Sequence, residues 1–96
     1  MDQLTDVKPK VIWKAVLKLT PAQSIHVPEG AELLHAREQF EEVCVWFRCD
    51  PNAVLTQRWI AIVGTGHEAP DADGRYIGTA SLRGGHLMLH VFERVH

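Results

Sequence analysis

The chain has 96 residues and a formal net charge of −2 at neutral pH, with 46% hydrophobic and 23% charged residues. This length suits one compact domain and leaves no room for a second. Because the charges are mixed in sign and the balance is slightly acidic, the sequence has no continuous basic stripe that would follow a phosphate backbone, which argues against nucleic-acid binding.

The first ten residues, MDQLTDVKPK, carry acidic side chains where a secretory signal is basic, and no apolar signal core follows them. No apolar run has the length needed to cross a bilayer. We therefore predict a cytoplasmic protein that does not bind membranes. Residues 1–9 are expected to form a flexible N-terminal segment and residues 10–96 a single β domain.

Seven short apolar runs separated by turn-forming residues predict an all-β domain, either an antiparallel β-sandwich or a partly closed barrel of six to seven strands. The predicted strands cover residues 10–19, 23–27, 31–38, 42–49, 57–63, 75–82 and 86–93. The run GAELLHAREQFEEV also has apolar residues near helical spacing, so a helix is the alternative there. We predict a strand because the run directly follows Pro28-Glu29-Gly30 and matches the next strand in length across a turn at 39–41.

The pair Gly84-Gly85 predicts a two-residue primed turn, since both residues adopt positive φ at little cost. That turn sets the register of the last hairpin, whose core side pairs Leu82 with Leu87, Ala80 with Leu89 and Gly78 with Val91. The outward side pairs Arg83 with His86, Ser81 with Met88, Thr79 with His90 and Ile77 with Phe92. The predicted core includes Trp13, Leu17, Leu82, Leu87, Leu89 and Val91.

Three predicted strands, around Trp13, Trp46 and Trp59, are apolar on both faces. A strand that is apolar on both faces is buried on both faces. In a domain this small a second subunit can cover one of those faces, so we predict a homodimer.

Cys44 and Cys49 lie five positions apart, and on a strand their side chains point to opposite faces. We predict that both remain free thiols, as in a reducing cytoplasm.

His86 and His90 are separated by roughly 13 Å on a strand, too far to share one metal ion. No metal or cofactor is therefore predicted. There is no nucleophile elbow, and Cys44 lies within an apolar strand, so no catalytic residue is predicted either.

The segment GTGHEAPDADG, residues 64–74, is long for a connection between two strands. Long loops in small domains are often functional. Its glycine-rich start can present backbone N–H groups to an anion, and the histidine adds an imidazole. The structural alternative is that the glycines only reverse the chain. The predicted ligand-binding residues are Gly64, Thr65, Gly66, His67, Arg58 and Arg75.

The outward side of the last hairpin is a second candidate surface, because it collects histidines, hydroxyls and an arginine. The alternative interpretation is an ordinary solvated strand face. The predicted protein-interaction residues are Thr79, Ser81, Arg83, His86 and His90.

Six short motifs follow one another along the chain: Ile12-Trp13-Lys14, Pro28-Glu29-Gly30-Ala31, Cys44-Val45-Trp46, Gly64-Thr65-Gly66-His67, Gly84-Gly85 and His90-Val91-Phe92-Glu93. In this order they resemble a family of small uncharacterised bacteriophage and prophage proteins. The resemblance implies a phage product in the cytoplasm of the infected bacterial host, an accessory protein that binds a host protein and counters a defence system. The alternatives are a protein that sequesters a nucleotide or another anionic metabolite, and a virion or assembly component.

Overall fold

A computed structural model describes residues 9–69 and 74–94 as a seven-stranded sheet that is nearly closed into a barrel. The strands are β1 Val11–Leu17, β2 Ala22–Pro28, β3 Glu32–Gln39, β4 Glu42–Cys49, β5 Leu55–Gly64, β6 Arg75–Leu82 and β7 Leu87–Arg94. The predicted all-β class is confirmed, and so is the strand, rather than a helix, over residues 31–38. The predicted N-terminal segment lies, except for Pro9, outside the described residues. Within the described ranges, no helix is long and apolar enough to span a membrane.

The strands lie in the order β1-β4-β3-β6-β7-β5-β2. Five of the six neighbouring pairs are antiparallel, as predicted. The exception is β3 with β6, which are parallel and are paired at Ala36 and Gly78. The two backbones approach closely there, since a Cβ added to Gly78 would lie 2.1 Å from the carbonyl oxygen of Ala36. The sheet is therefore mixed, and this seam depends on a residue without a side chain.

The turn between β6 and β7 has the predicted primed geometry. Gly84 has φ 66° and ψ 23°, Gly85 has φ 95°, and the His86 N–H donates to the carbonyl oxygen of Arg83 at 3.2 Å. The three core pairs of the hairpin are confirmed. One outward pair is corrected, because a register shift between Tyr76 and Gly78 places Tyr76 opposite Phe92. Ile77 is buried instead.

The core lies inside the curved sheet. Leu17, Leu82 and Val91 are buried as predicted, and Leu87 and Leu89 are partly buried and pack against the core. The prediction for Trp13 was wrong. Its side chain is 43% exposed and lies edge-on to Phe47, with 6.5 Å between ring centroids. The reason is that β1 is an edge strand with a neighbour on one side only.

The apolar residues on the outer face of the sheet have different environments. Cys44 and Ala61 are buried, whereas Ile12 and Val16 of the edge strand β1 are 60% and 48% exposed. The exposed pair leaves an apolar surface at this edge of the sheet. The homodimer stays a prediction.

Both cysteines are free and buried, which confirms the predicted free thiols. Burial raises the pKa of the Cys44 thiol and of the Cys49 thiol above the ordinary value. Because the thiolate is the reactive form, buried thiols of raised pKa react slowly.

We expect both thiols of the native protein to react with Ellman's reagent roughly a hundredfold more slowly than those of the urea-unfolded chain. The measurement is the rate of absorbance change for each state at the same pH. Rapid modification of two thiols per native chain would contradict the burial described above.

Candidate functional site

The strand directions bring four connections together at one end of the barrel, here called the upper end. Its segments are residues 18–21, 40–41, 65–69 and 83–86. A hydrogen bond confirms that two of them meet, since the Arg83 N–H donates to the Glu41 carboxylate at 3.1 Å. The opposite end of the barrel is the lower end.

The long connection between β5 and β6 is explained by topology. The two strands run in the same direction with β7 between them, so the chain must return from the upper to the lower end. Gly64 at the end of β5 lies opposite Leu89, whereas Arg75 at the start of β6 lies opposite Glu93. A crossover between parallel strands needs about a dozen residues or more. Its length is therefore no sign of function, and residues 70–73 within it lie outside the described ranges.

The start of this connection is a tight turn. The His67 N–H donates to the carbonyl oxygen of Gly64 at 3.0 Å, and Gly66 has φ 92°, as the third residue of a type II turn requires. The Thr65 N–H donates to the carbonyl oxygen of Met88 at 3.4 Å. The backbone N–H groups of Thr65, Gly66 and His67 are the ones predicted to face an anion. Two of these three are thus hydrogen-bonded within the protein. Any ligand contact of this segment must come mainly from its side chains.

A chain of hydrogen bonds joins the two predicted sets of site residues. Thr65 Oγ1 lies 2.7 Å from His90 Nε2, and His90 Nδ1 lies 3.0 Å from Thr79 Oγ1. The Tyr76 hydroxyl continues the chain at 2.5 Å from Thr79 Oγ1. Both ring nitrogens of His90 are therefore occupied, and the imidazole anchors the start of the connection to the outer face of β6 and β7. Tyr76 was missed, because its pairing depends on the register shift in β6.

A cavity of about 470 Å³ opens at the upper end and is called the upper cavity. Its lining residues are Leu19, Thr20, Ile62, Gly64, Thr65, His67, His86, Leu87, Met88 and Leu89. The top of the core forms its floor through Ile62, Leu87 and Leu89. The imidazoles of His67 and His86 contribute polar groups to its wall. The cavity thus combines an apolar floor with a few polar groups from separate segments.

The wall contributed by residues 18–21 is held in place by its neighbours. The Gln23 side chain donates to the carbonyl oxygen of Lys18 at 2.7 Å and accepts from the Lys18 N–H at 3.1 Å. The Ile62 N–H of β5 donates to the carbonyl oxygen of Pro21 at 3.0 Å. Sequence reasoning missed Leu19 and Thr20 as lining residues, since nothing local indicates that they meet the start of the β5–β6 connection.

The predicted protein-interaction residues are divided between four places. Thr79 and His90 belong to the hydrogen-bond chain, and His86 lines the upper cavity. Ser81 is exposed and, with Thr79, borders a cleft of about 300 Å³ over the β3–β6 seam. Arg83 is exposed in the turn, with its backbone N–H bound to the Glu41 carboxylate.

Arg58 and Arg75, predicted to bind a ligand beside the glycine-rich turn, lie at the lower end. Arg58 Nε donates to the Glu93 carboxylate at 2.5 Å, and Arg75 Nη1 lies 3.7 Å from the same carboxylate. Each arginine also donates to a backbone carbonyl oxygen, Arg58 to that of Ala31 at 2.8 Å and Arg75 to that of Leu33 on the neighbouring strand β3 at 2.9 Å. Arg58, Arg75 and Glu93, here called the arginine cluster, are about four residues of strand, roughly 13 Å, below the upper cavity. The structure does not bring the two arginines to the glycine-rich turn.

One family model matches the chain over residues 8–96, and its description reads "Domain of unknown function (DUF7352)". No match was found among curated proteins or among solved structures. The geometry of the upper end is therefore the basis for assigning a function.

Proposed function

Because the chain belongs to the DUF7352 family, whose description assigns no activity, we propose a function from the geometry: the protein binds a small organic ligand in the upper cavity. One observation carries this proposal. Three segments far apart in the sequence, residues 18–21, 64–67 and 83–86, converge on a single concave site with an apolar floor. Ligand sites typically have volumes of about 300–1,000 Å³ and few polar groups, and this cavity fits that description.

The walls of the cavity are held in position before any ligand arrives. Gln23 fixes the first segment, and His90 fixes the second through Thr65. The turn hydrogen bond between His86 and Arg83 fixes the third. A site that is ordered in advance loses less conformational entropy on binding, which favours affinity.

The test uses the neutral fluorescent probe N-phenyl-1-naphthylamine, which enters apolar sites. We expect the protein to bind it and Leu19→Trp to weaken its affinity about tenfold, since the indole fills the cavity mouth. Leu55→Trp is the matched control, because Leu55 is also exposed but lies at the lower end. The measurement is a fluorescence titration of each variant, with its melting temperature recorded beside it.

The proposal fails if the protein binds neither this probe nor its sulfonated analogue, 8-anilinonaphthalene-1-sulfonate. It also fails if Leu19→Trp binds as tightly as the unmodified protein, or if both tryptophan variants weaken binding equally while their melting temperatures are unchanged. The first result would show that the cavity does not accept an organic molecule. The others would place the probe elsewhere.

Phage origin, a host-protein partner and action in the host cytoplasm, which the resemblance implies, stay predictions. The surface that supports a protein partner is the exposed part of the predicted interaction face, Ser81 and Arg83, together with the cleft beside Ser81. The upper cavity supports the alternative prediction, a protein that sequesters a metabolite.

A further inference from the structure

We infer that the ligand of the upper cavity is an amphipathic organic anion, with an apolar body on the cavity floor and a single acidic group at the two rim histidines. This inference rests on the proposed function and names its ligand class. The acidic group is a carboxylate, sulfonate or phosphate, because all three present several acceptor oxygens to a donor.

The hydrogen bonds of the rim separate the occupied polar groups from the unoccupied ones. The Thr20 hydroxyl donates to the carbonyl oxygen of Ala22 at 3.3 Å, and the Thr65 hydroxyl is bound to His90. The imidazoles of His67 and His86 make no hydrogen bond within the described part of the chain. These two rings are thus the polar groups of the rim that remain available to a ligand.

The two available histidines come from different segments and line the same cavity. His67 follows β5, and its ring lies against Gly64, since a Cβ added there would be 3.8 Å from Nδ1. His86 comes from the turn between β6 and β7. Both line the upper cavity. Each imidazole offers an N–H donor when neutral and two donors with a positive charge when protonated.

The lining of the upper cavity suits an acidic group better than a basic one, because its available polar groups are imidazoles that can donate. No carboxylate is among the lining residues of the upper cavity. The nearest acidic residue in the sequence, Glu68, lines a neighbouring cavity to which His67 also contributes. Below the rim, Leu87 and Leu89 leave an apolar surface, which requires an apolar body in the ligand.

The experiment compares two probes that share one aromatic body. The first is 8-anilinonaphthalene-1-sulfonate, and the second is N-phenyl-1-naphthylamine, which lacks the sulfonate. We expect the sulfonate to bind about tenfold more tightly than the neutral probe, as a charge-assisted hydrogen bond to the rim provides. The double variant His67→Phe/His86→Phe keeps an aromatic ring at each position but removes the ring nitrogens. It should reduce this ratio of affinities to about one.

His26→Phe is the matched control, because His26 is exposed on β2 and does not line the upper cavity. It should leave the ratio unchanged. The double variant His67→Ala/His86→Ala provides the same test if the phenylalanine variant does not fold. Circular dichroism of each variant shows that binding is measured on folded protein.

Three outcomes decide the inference. If both probes bind equally to the unmodified protein, the site exists but the inference is overturned. If the preference for the sulfonate persists without the two histidines, or disappears equally in His26→Phe, the assignment to His67 and His86 is overturned. If neither probe binds, the proposed function fails as well.

Discussion

Replacing Gly78 with alanine is expected to lower the free energy of unfolding by about 3 kcal/mol. The added methyl group would lie 2.1 Å from the carbonyl oxygen of Ala36, 2.8 Å from its nitrogen and 3.0 Å from its carbonyl carbon. All three are backbone atoms of a neighbouring strand, so no side chain can rotate to make room. Because β3 and β6 are paired at Ala36 and Gly78, the two strands must separate at the residues that join them.

The matched control is Gly64→Ala, the same substitution in another strand of the same sheet. A Cβ at Gly64 would meet only the His67 ring, at 3.8 Å or more, which is ordinary van der Waals contact. We expect it to change the free energy of unfolding by less than about 0.5 kcal/mol. Urea denaturation of both variants provides the comparison. Equal losses would show that the β3–β6 backbones are not in close contact.

Local patterns in the sequence were sufficient to locate the strands and turns. Gly84-Gly85 specifies a primed turn through its own backbone freedom, so the register of the last hairpin follows without knowledge of the rest. The burial of Leu82 and Val91 follows from that register. The exposure of Trp13 does not follow from local patterns. Burial on an edge strand depends on which strands lie beside it, and the local sequence does not specify the pairing partners.

The order of the strands in the sheet and the location of the site could not be predicted from local sequence patterns. The upper cavity exists because β2 pairs with β5, which brings residues 18–21 beside the segment that follows Gly64, and because β7 lies on the other side of β5. No local signal specifies that order. One clue was available in Gly78, since a glycine within a strand marks close approach of another backbone.

The arginines show that the local sequence does not reveal the partner of a charged residue either. The sequence analysis predicts Arg58 beside the glycine-rich turn, as one of the arginines around a bound anion. In the structure Arg58 contacts Glu93, which is 35 positions away along the chain. A charge pattern identifies residues that need a partner, but the topology decides whether that partner is a ligand or a carboxylate of the same protein.

The arginine cluster is expected to contribute substantially to stability. Glu93→Gln should lower the free energy of unfolding by about 2 kcal/mol, because a neutral amide replaces the carboxylate that Arg58 and Arg75 share. The side chains of Arg58 and Glu93 are only 24% and 14% exposed, so water compensates poorly for the lost charge. The loss also weakens the two arginine hydrogen bonds to the backbone carbonyls of Ala31 and Leu33, which tie β3 to the rest of the barrel.

Glu32→Gln is the control for this prediction, since it removes a carboxylate from an ion pair of the same type. The Glu32 carboxylate pairs with Arg48, and both side chains are about half exposed. The hydrogen bond from Arg48 lowers the pKa of the Glu32 carboxyl, yet ion pairs that are this accessible to water contribute little to folding. Urea denaturation should therefore show a clearly larger loss for Glu93→Gln than for Glu32→Gln. If the two losses are equal, the arginine cluster does not hold the lower end of the barrel together.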